Sequence, residues 1–156
     1  MRRHFWKLGS LAVAAAGGYL LGYSHNSDRV GRAHLARGEA LARSLTGVVL
    51  EGSYTLEGGA PQPERYVIER VEQAGGDNWV FHTKIQFAEV APLDRVIPAR
   101  IEWAGDTAVI SLSALEVSGL GTFDARIALY RDGYAGFWSN GGSGGRQFGT
   151  LTPAPE

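Results

Sequence analysis

Few side chains in this chain of 156 residues are spaced for chemistry. Its four histidines are His4, His25, His34 and His82. Three of them precede residue 47, and a metal centre needs several ligands converging on one point. Cysteine is absent, which excludes disulfides, thiolate ligands and cysteine nucleophiles together. Ser111 and Ser113 alternate with apolar residues and lack a Gly-x-Ser-x-Gly elbow. Glu102 and Asp124 are carboxylates with no second group spaced to form an acid and base pair. The glycine-rich run at residues 140–146 lacks the Lys-Ser/Thr of a phosphate loop and is not followed by a helical pattern. The formal net charge of −1 supplies no field for nucleic acid. The expectation is a non-enzymatic protein with no metal and no cofactor.

The aromatic residues are better organised, and so are the elements that must hold them. Phe123, Ala125, Ile127 and Leu129 alternate with Asp124, Arg126 and Tyr130, the period of two that puts one face of a strand on a core. Asp132-Gly133 predicts a tight hairpin with both central residues at positive φ. Tyr134, Gly136 and Trp138 then share a face of the return strand, and a looser glycine turn leads into the last one. Upstream, Val48, Leu50, Tyr54 and Leu56 form a first strand, with Gly52 on the same face at a bend. Residues 66–72 give a weaker second strand. Trp79, Phe81, Ile85 and Phe87 share one face of a third and His82, Lys84 and Gln86 the other. Ile97, Ala99, Ile101 and Trp103 line a fourth, residues 108–113 form a fifth, and residues 115–120 read as an irregular connection.

Eight short strands with no helix between them leave no parallel crossover. The predicted fold class is all-β, a small antiparallel up-and-down β-barrel of about eight strands, preceded by an N-terminal hydrophobic helix. A β-sandwich is the other arrangement open to the same strands.

The N-terminus carries cellular meaning. Arg2, Arg3 and Lys7 precede an uncharged run at residues 8–23, the basic and apolar regions of an export signal or signal anchor. As a helix the run spans about 24 Å at roughly 1.5 Å per residue, against roughly 30 Å of hydrocarbon core, with Phe5, Trp6 and a snorkelling Lys7 available to extend it. The chain thus divides into a signal anchor or signal peptide (1–23), a polar, partly helical connector (24–46) and a β-barrel domain (47–152). In the connector Asp28 can cap a helix, Val30, His34, Leu41 and Leu45 fall at roughly helical spacing, and Gly47 suits the position just past its end. The interleaved charges suggest a solvated spacer.

The run at residues 103–151, with its tyrosine, its glycine-tryptophan segment and its Gly-Gly turn, resembles a family of small uncharacterised bacterial exported proteins. More distantly, the strand plan is similar to the lipocalin-like barrels of the calycin superfamily. The resemblance implies an exported barrel and brings no activity with it. Where that family has a histidine-containing segment after the tryptophan, this chain has Ser139-Asn140, so no histidine role is carried to the turn.

These readings lead to a membrane-tethered or exported structural or interaction protein of the cell envelope. The alternative is a binding module for one small apolar ligand inside the barrel, lined by Trp79, Phe81, Phe87, Trp103, Tyr134 and Trp138. The expected partners are the membrane, through the N-terminal helix, and an envelope protein or the apolar ligand, with no nucleic acid. The expected location is the cytoplasmic membrane, single-pass with the barrel outside the cytoplasm, or secreted or periplasmic after signal cleavage. Fractionation with protease protection checks the placement: the barrel should sediment with membranes and be digested from the non-cytoplasmic side. A barrel recovered in the soluble cytoplasm would refute it.

Overall fold

The computed structural model describes residues 30–88, 91–118 and 121–155. They form a helix, α1 (residues 30–45), followed by eight strands. In order these are β1 (Val48–Tyr54), β2 (Gln62–Gly75), β3 (Asn78–Phe87), β4 (Leu93–Ala104), β5 (Thr107–Val117), β6 (Gly121–Tyr130), β7 (Gly133–Ser139) and β8 (Gly144–Pro153). Each strand pairs antiparallel with the next and β1 pairs with β8, giving a closed up-and-down barrel without a free edge. The unbroken ladder rules out the sandwich. The apolar run at residues 8–23 and the cap at Asp28 lie outside the described residues. Among those described, no helix is long and apolar enough to cross a membrane.

Alternation decides which side chains enter the barrel. Leu50, Ile68, Trp79, Phe81, Ala99, Ile101, Ala108, Ile110, Leu129 and Tyr134 form one buried cluster, with Trp103, Ile127 and Leu151 packed against it. The outer face of β2 to β4 is charged instead. Lys84 pairs with Glu69 at 2.7 Å and Arg70 with Glu72 at 2.9 Å, while Arg100 lies 3.7 Å from Asp77. On this side the barrel is apolar within and charged without, the reverse of a strand face that meets lipid.

Four local features differ from the sequence reading, each for a physical reason. β2 is the longest strand rather than a weak one. It starts at Gln62 and runs to Gly75, and two bulges, between Ile68 and Arg70 and between Gln73 and Gly75, break the period of two that would have revealed it. β5 continues into the stretch expected as irregular, as far as Val117. Ala114 takes a left-handed φ of 50°, the ladder slips, and Leu115 then pairs with Phe123. The hairpin between β6 and β7 turns one residue earlier than predicted, because Tyr130 pairs with Gly133 and it is Arg131 that adopts positive φ, at 55°. Finally, His82, read only as a member of the outward face of the third strand, is engaged there: its Nε2 lies 3.0 Å from Arg70 Nη2 and 3.1 Å from Glu72 Oε2.

The second half of α1 is part of the barrel's packing. Residues 38–156 form one compact unit, in which Ala42 and Leu45 are buried in the barrel cluster with Leu41 beside them. A side chain at Gly38 would run into the indole of Trp79, so only a glycine lets the helix come this close. The buried positions 38, 42 and 45 follow helical spacing, yet two carry the smallest side chains, which a hydrophobic pattern does not register. Val30, at the start of the same helical spacing, is 55% exposed. Gly47 ends the helix as expected, with a φ of 75°, and its N–H donates to the Ile68 carbonyl at 2.8 Å as the chain enters β1.

Leu45→Ala should therefore lower unfolding free energy in denaturant titrations by about 2–5 kcal/mol, the usual effect of emptying a buried leucine site. Val30→Ala should change it by less than about 0.5 kcal/mol. Equal effects at the two positions would mean that the helix does not seal the barrel.

Candidate functional site

Two features stand out from the packing, one inside the barrel and one on its outer surface. The inner one begins with Glu64, which is 2% exposed although it is a carboxylate. Alternation on β2 points Glu64, Tyr66 and Ile68 inward together. Glu64 Oε2 accepts the Tyr66 hydroxyl at 3.0 Å, and Oε1 accepts the Tyr134 hydroxyl at 2.8 Å from the far side of the β1–β8 closure.

The register explains how Tyr134 reaches so far. Tyr134 on β7 faces Gly149 on β8, Gly149 faces Gly52 on β1, and Gly52 faces Glu64 on β2. A side-chain carbon on Gly149 would lie 2.7 Å from Tyr134 Cε1, and one on Gly52 would lie 2.6 Å from its hydroxyl. The ring crosses the two positions that have no side chain.

Burial pushes the Glu64 carboxyl above its ordinary value of 4.5, and the hydroxyls of Tyr134 and Tyr66 partly offset this. Both phenols are pushed upward in turn, first by burial and then by the facing carboxylate. A buried acid with a raised pKa in an open cleft is a common mark of catalysis. Here the carboxyl is enclosed and bonded through both oxygens to the barrel's own side chains, an arrangement suited to bracing the lumen.

The six aromatic residues expected to line a ligand all point into the barrel, in two groups. Trp79, Phe81 and Tyr134 are in the core cluster and Trp103 packs against it. Phe87 and Trp138 belong to a chain of rings that passes from Tyr66 to Phe87 at 5.8 Å, to Tyr54 at 5.6 Å, to Trp138 at 6.3 Å and to Phe123 at 6.1 Å. These are ordinary aromatic packing distances, with three of the four pairs edge to face. Trp138 Nε1 is enclosed without an acceptor among the described residues. An open cleft of about 270 Å³ lies between Glu39, Arg43, Gln73 and Trp79, and of the six only Trp79 borders it.

Sequence reasoning missed Glu64, which lies just before the stretch at residues 66–72 read as the second strand. The alternation Glu64-x-Tyr66-x-Ile68 was the available signal. Glu102 and Asp124, read as unpaired, each have a local partner: Glu102 accepts the Ser111 hydroxyl at 2.8 Å and Asp124 the Ala114 N–H at 3.0 Å.

The outer feature is the face of β7 and β8. β7 has no charged residue and β8 only Arg146. Phe137 is 66% exposed and Phe148 48%. The register sets Phe137 between Arg126 and Arg146, while the next outward row reads Ala128, Ala135, Phe148 and Ser53. Arg126 is held back toward β5 by the Leu112 carbonyl and the Ser113 hydroxyl. The Arg146 guanidinium has no ion pair among the described residues. Two exposed phenylalanines thus lie on adjacent strands beside a cation with no ion pair among the described residues.

Comparison with protein-family models, with curated proteins and with solved structures gives no match, so no relative's residues can be carried onto these positions. Of the resemblance read in the sequence, the eight-stranded antiparallel topology stands.

Because the folded-state pKa of Glu64 is raised, its protonated form is the one that folding favours. Its contribution to stability is complete below about pH 4.5 and is lost as pH rises through the raised value. Glu64→Gln, which keeps an acceptor and removes the charge, should gain stability relative to the parent as pH rises above 4.5. Denaturant midpoints measured across pH check this. Parallel profiles would show that Glu64 ionises freely in the fold.

Proposed function

We propose that this protein is a membrane-tethered interaction module of the cell envelope, in which a filled barrel presents its outer β7–β8 face to a protein partner. The observation that carries the reading is Phe137, 66% exposed between two arginine positions on a face that is otherwise uncharged along β7. Exposed aromatics of this size are disfavoured on a surface that meets only water, and aromatic and arginine side chains together are enriched where proteins bind one another.

The interior supports the same reading. A ligand in the lumen would need space that Tyr134, the ring chain from Tyr66 to Phe123 and the helix residues Ala42 and Leu45 occupy. The tether rests on the basic start and the uncharged run at residues 8–23, and with it the placement of the barrel outside the cytoplasm.

Site-specific photo-cross-linking tests the contact face. The full chain with benzoylphenylalanine at position 137, expressed in cells, should give a discrete adduct on irradiation, whereas the same group at Lys84 on the charged side should give none. The absence of any adduct from position 137 would remove the interaction reading.

A further inference from the structure

We propose that the partner of the β7–β8 face is a second copy of this chain, an inference that rests on the interaction reading above. The argument is the self-complementarity of the face. Its central row, Ala128, Ala135, Phe148 and Ser53, is uncharged. One row toward the β7–β8 turn are Arg126, Phe137 and Arg146. One row toward the β6–β7 turn are Tyr130, Gly133, Thr150 and Glu51, so that Tyr130 comes to face Arg126.

A two-fold axis laid across the strands along the central row superposes these two flanking rows on one another. Phe137 of one copy then faces Gly133 of the other, where no side chain stands in its way. Arg146 faces Thr150 and has Glu51 on the adjacent strand within reach. Neither Arg146 nor Glu51 has an ion pair among the described residues, although Arg65 is the cross-strand neighbour of Glu51, and the two-fold brings Arg146 of one copy to Glu51 of the other. One row further out, Asp124 comes to face the turn that bears Arg131. Every contact occurs twice, as an isologous interface requires. An axis parallel to the strands along β7 would instead set Arg126 against Arg146, a like-charge contact, so the pattern selects one arrangement.

The contact is modest. Four strands spaced about 4.8 Å apart and three outward rows cover roughly 400 Å² per copy, below the roughly 800 Å² per partner of a stable complex. Association therefore depends on both copies being held in one membrane, where a shared tether raises the effective concentration.

The chain contains no cysteine, so single cysteines report the contact without background. In the full chain expressed in membranes, Ala135→Cys lies beside the axis and should give a dimer with a short bis-maleimide. Lys84→Cys, on the charged side, should stay monomeric. In the Ala135→Cys chain, adding Arg146→Glu should lower the dimer yield about tenfold, and adding Glu51→Arg as well should restore it. A merely structural role for Arg146 would not be rescued in this way. Circular dichroism confirms that each variant is folded.

Failure of Ala135→Cys to dimerise, equal dimerisation at Lys84→Cys, or no rescue by the charge exchange would each overturn the proposal. If position 137 still photo-cross-links to a different protein, self-association falls and the interaction reading stands. If it cross-links to nothing, both fall.

Discussion

Closing the sheet between β1 and β8 brings Gly52 and Gly149 opposite one another, and much of the interior depends on what that pair leaves empty. A strand interior loses stability at glycine, through backbone entropy and the missing side chain. Here the loss is offset by Tyr134, whose ring lies across both positions and whose hydroxyl reaches Glu64 at 2.8 Å. The tyrosine thus ties β7 to β2 across the closure. Trp138 stands in a similar relation to Gly145, where a side-chain carbon would lie 3.2 Å from its indole nitrogen. Large rings on one strand answer missing side chains on the next, and the barrel wall can curve tightly there.

This arrangement places a carboxyl where none would otherwise be tolerated. Burying an unpaired carboxylate is unfavourable by several kcal/mol, and two phenolic donors recover part of that. Glu64 marks the position at which β1, β2, β7 and β8 must all be in register, since a slip of one residue in any of them turns a member of the row to the outer face. The polar cluster adds specificity to a core whose stability comes from its apolar members.

The two ends of the barrel are filled differently. At one, Gly38, Ala42 and Leu45 of α1 approach Trp79 and the core cluster. At the other, rings from β1, β2, β3, β6 and β7 meet edge to face or tilted. The outer faces are unequal. β2 to β4 are laced with ion pairs, whereas β7 and β8 present phenylalanine and alanine to solvent. The charge on one side and the exposed aromatics on the other make the two outer faces chemically distinct within one fold.

The alternation of apolar and polar residues was enough to determine the class, the strand number and the inward faces of β3, β4, β6 and β7, and that of β1 as far as Tyr54, because a half-buried strand has little freedom in which side chain it hides; Leu56, read as a member of β1, lies beyond its end and is exposed. Gly47 as the helix end was legible for an equally local reason. What the tertiary structure decided were relations with no local signature. The bulges of β2 and β5 are set by the neighbouring strands, which is why β2 looked weak and the end of β5 looked irregular. Gly38 and Ala42 are buried because Trp79 demands small neighbours, a requirement written on a strand some 40 residues away. Glu64 is buried because Tyr134, separated from it by 70 positions in sequence, reaches it only when the barrel closes over two glycines.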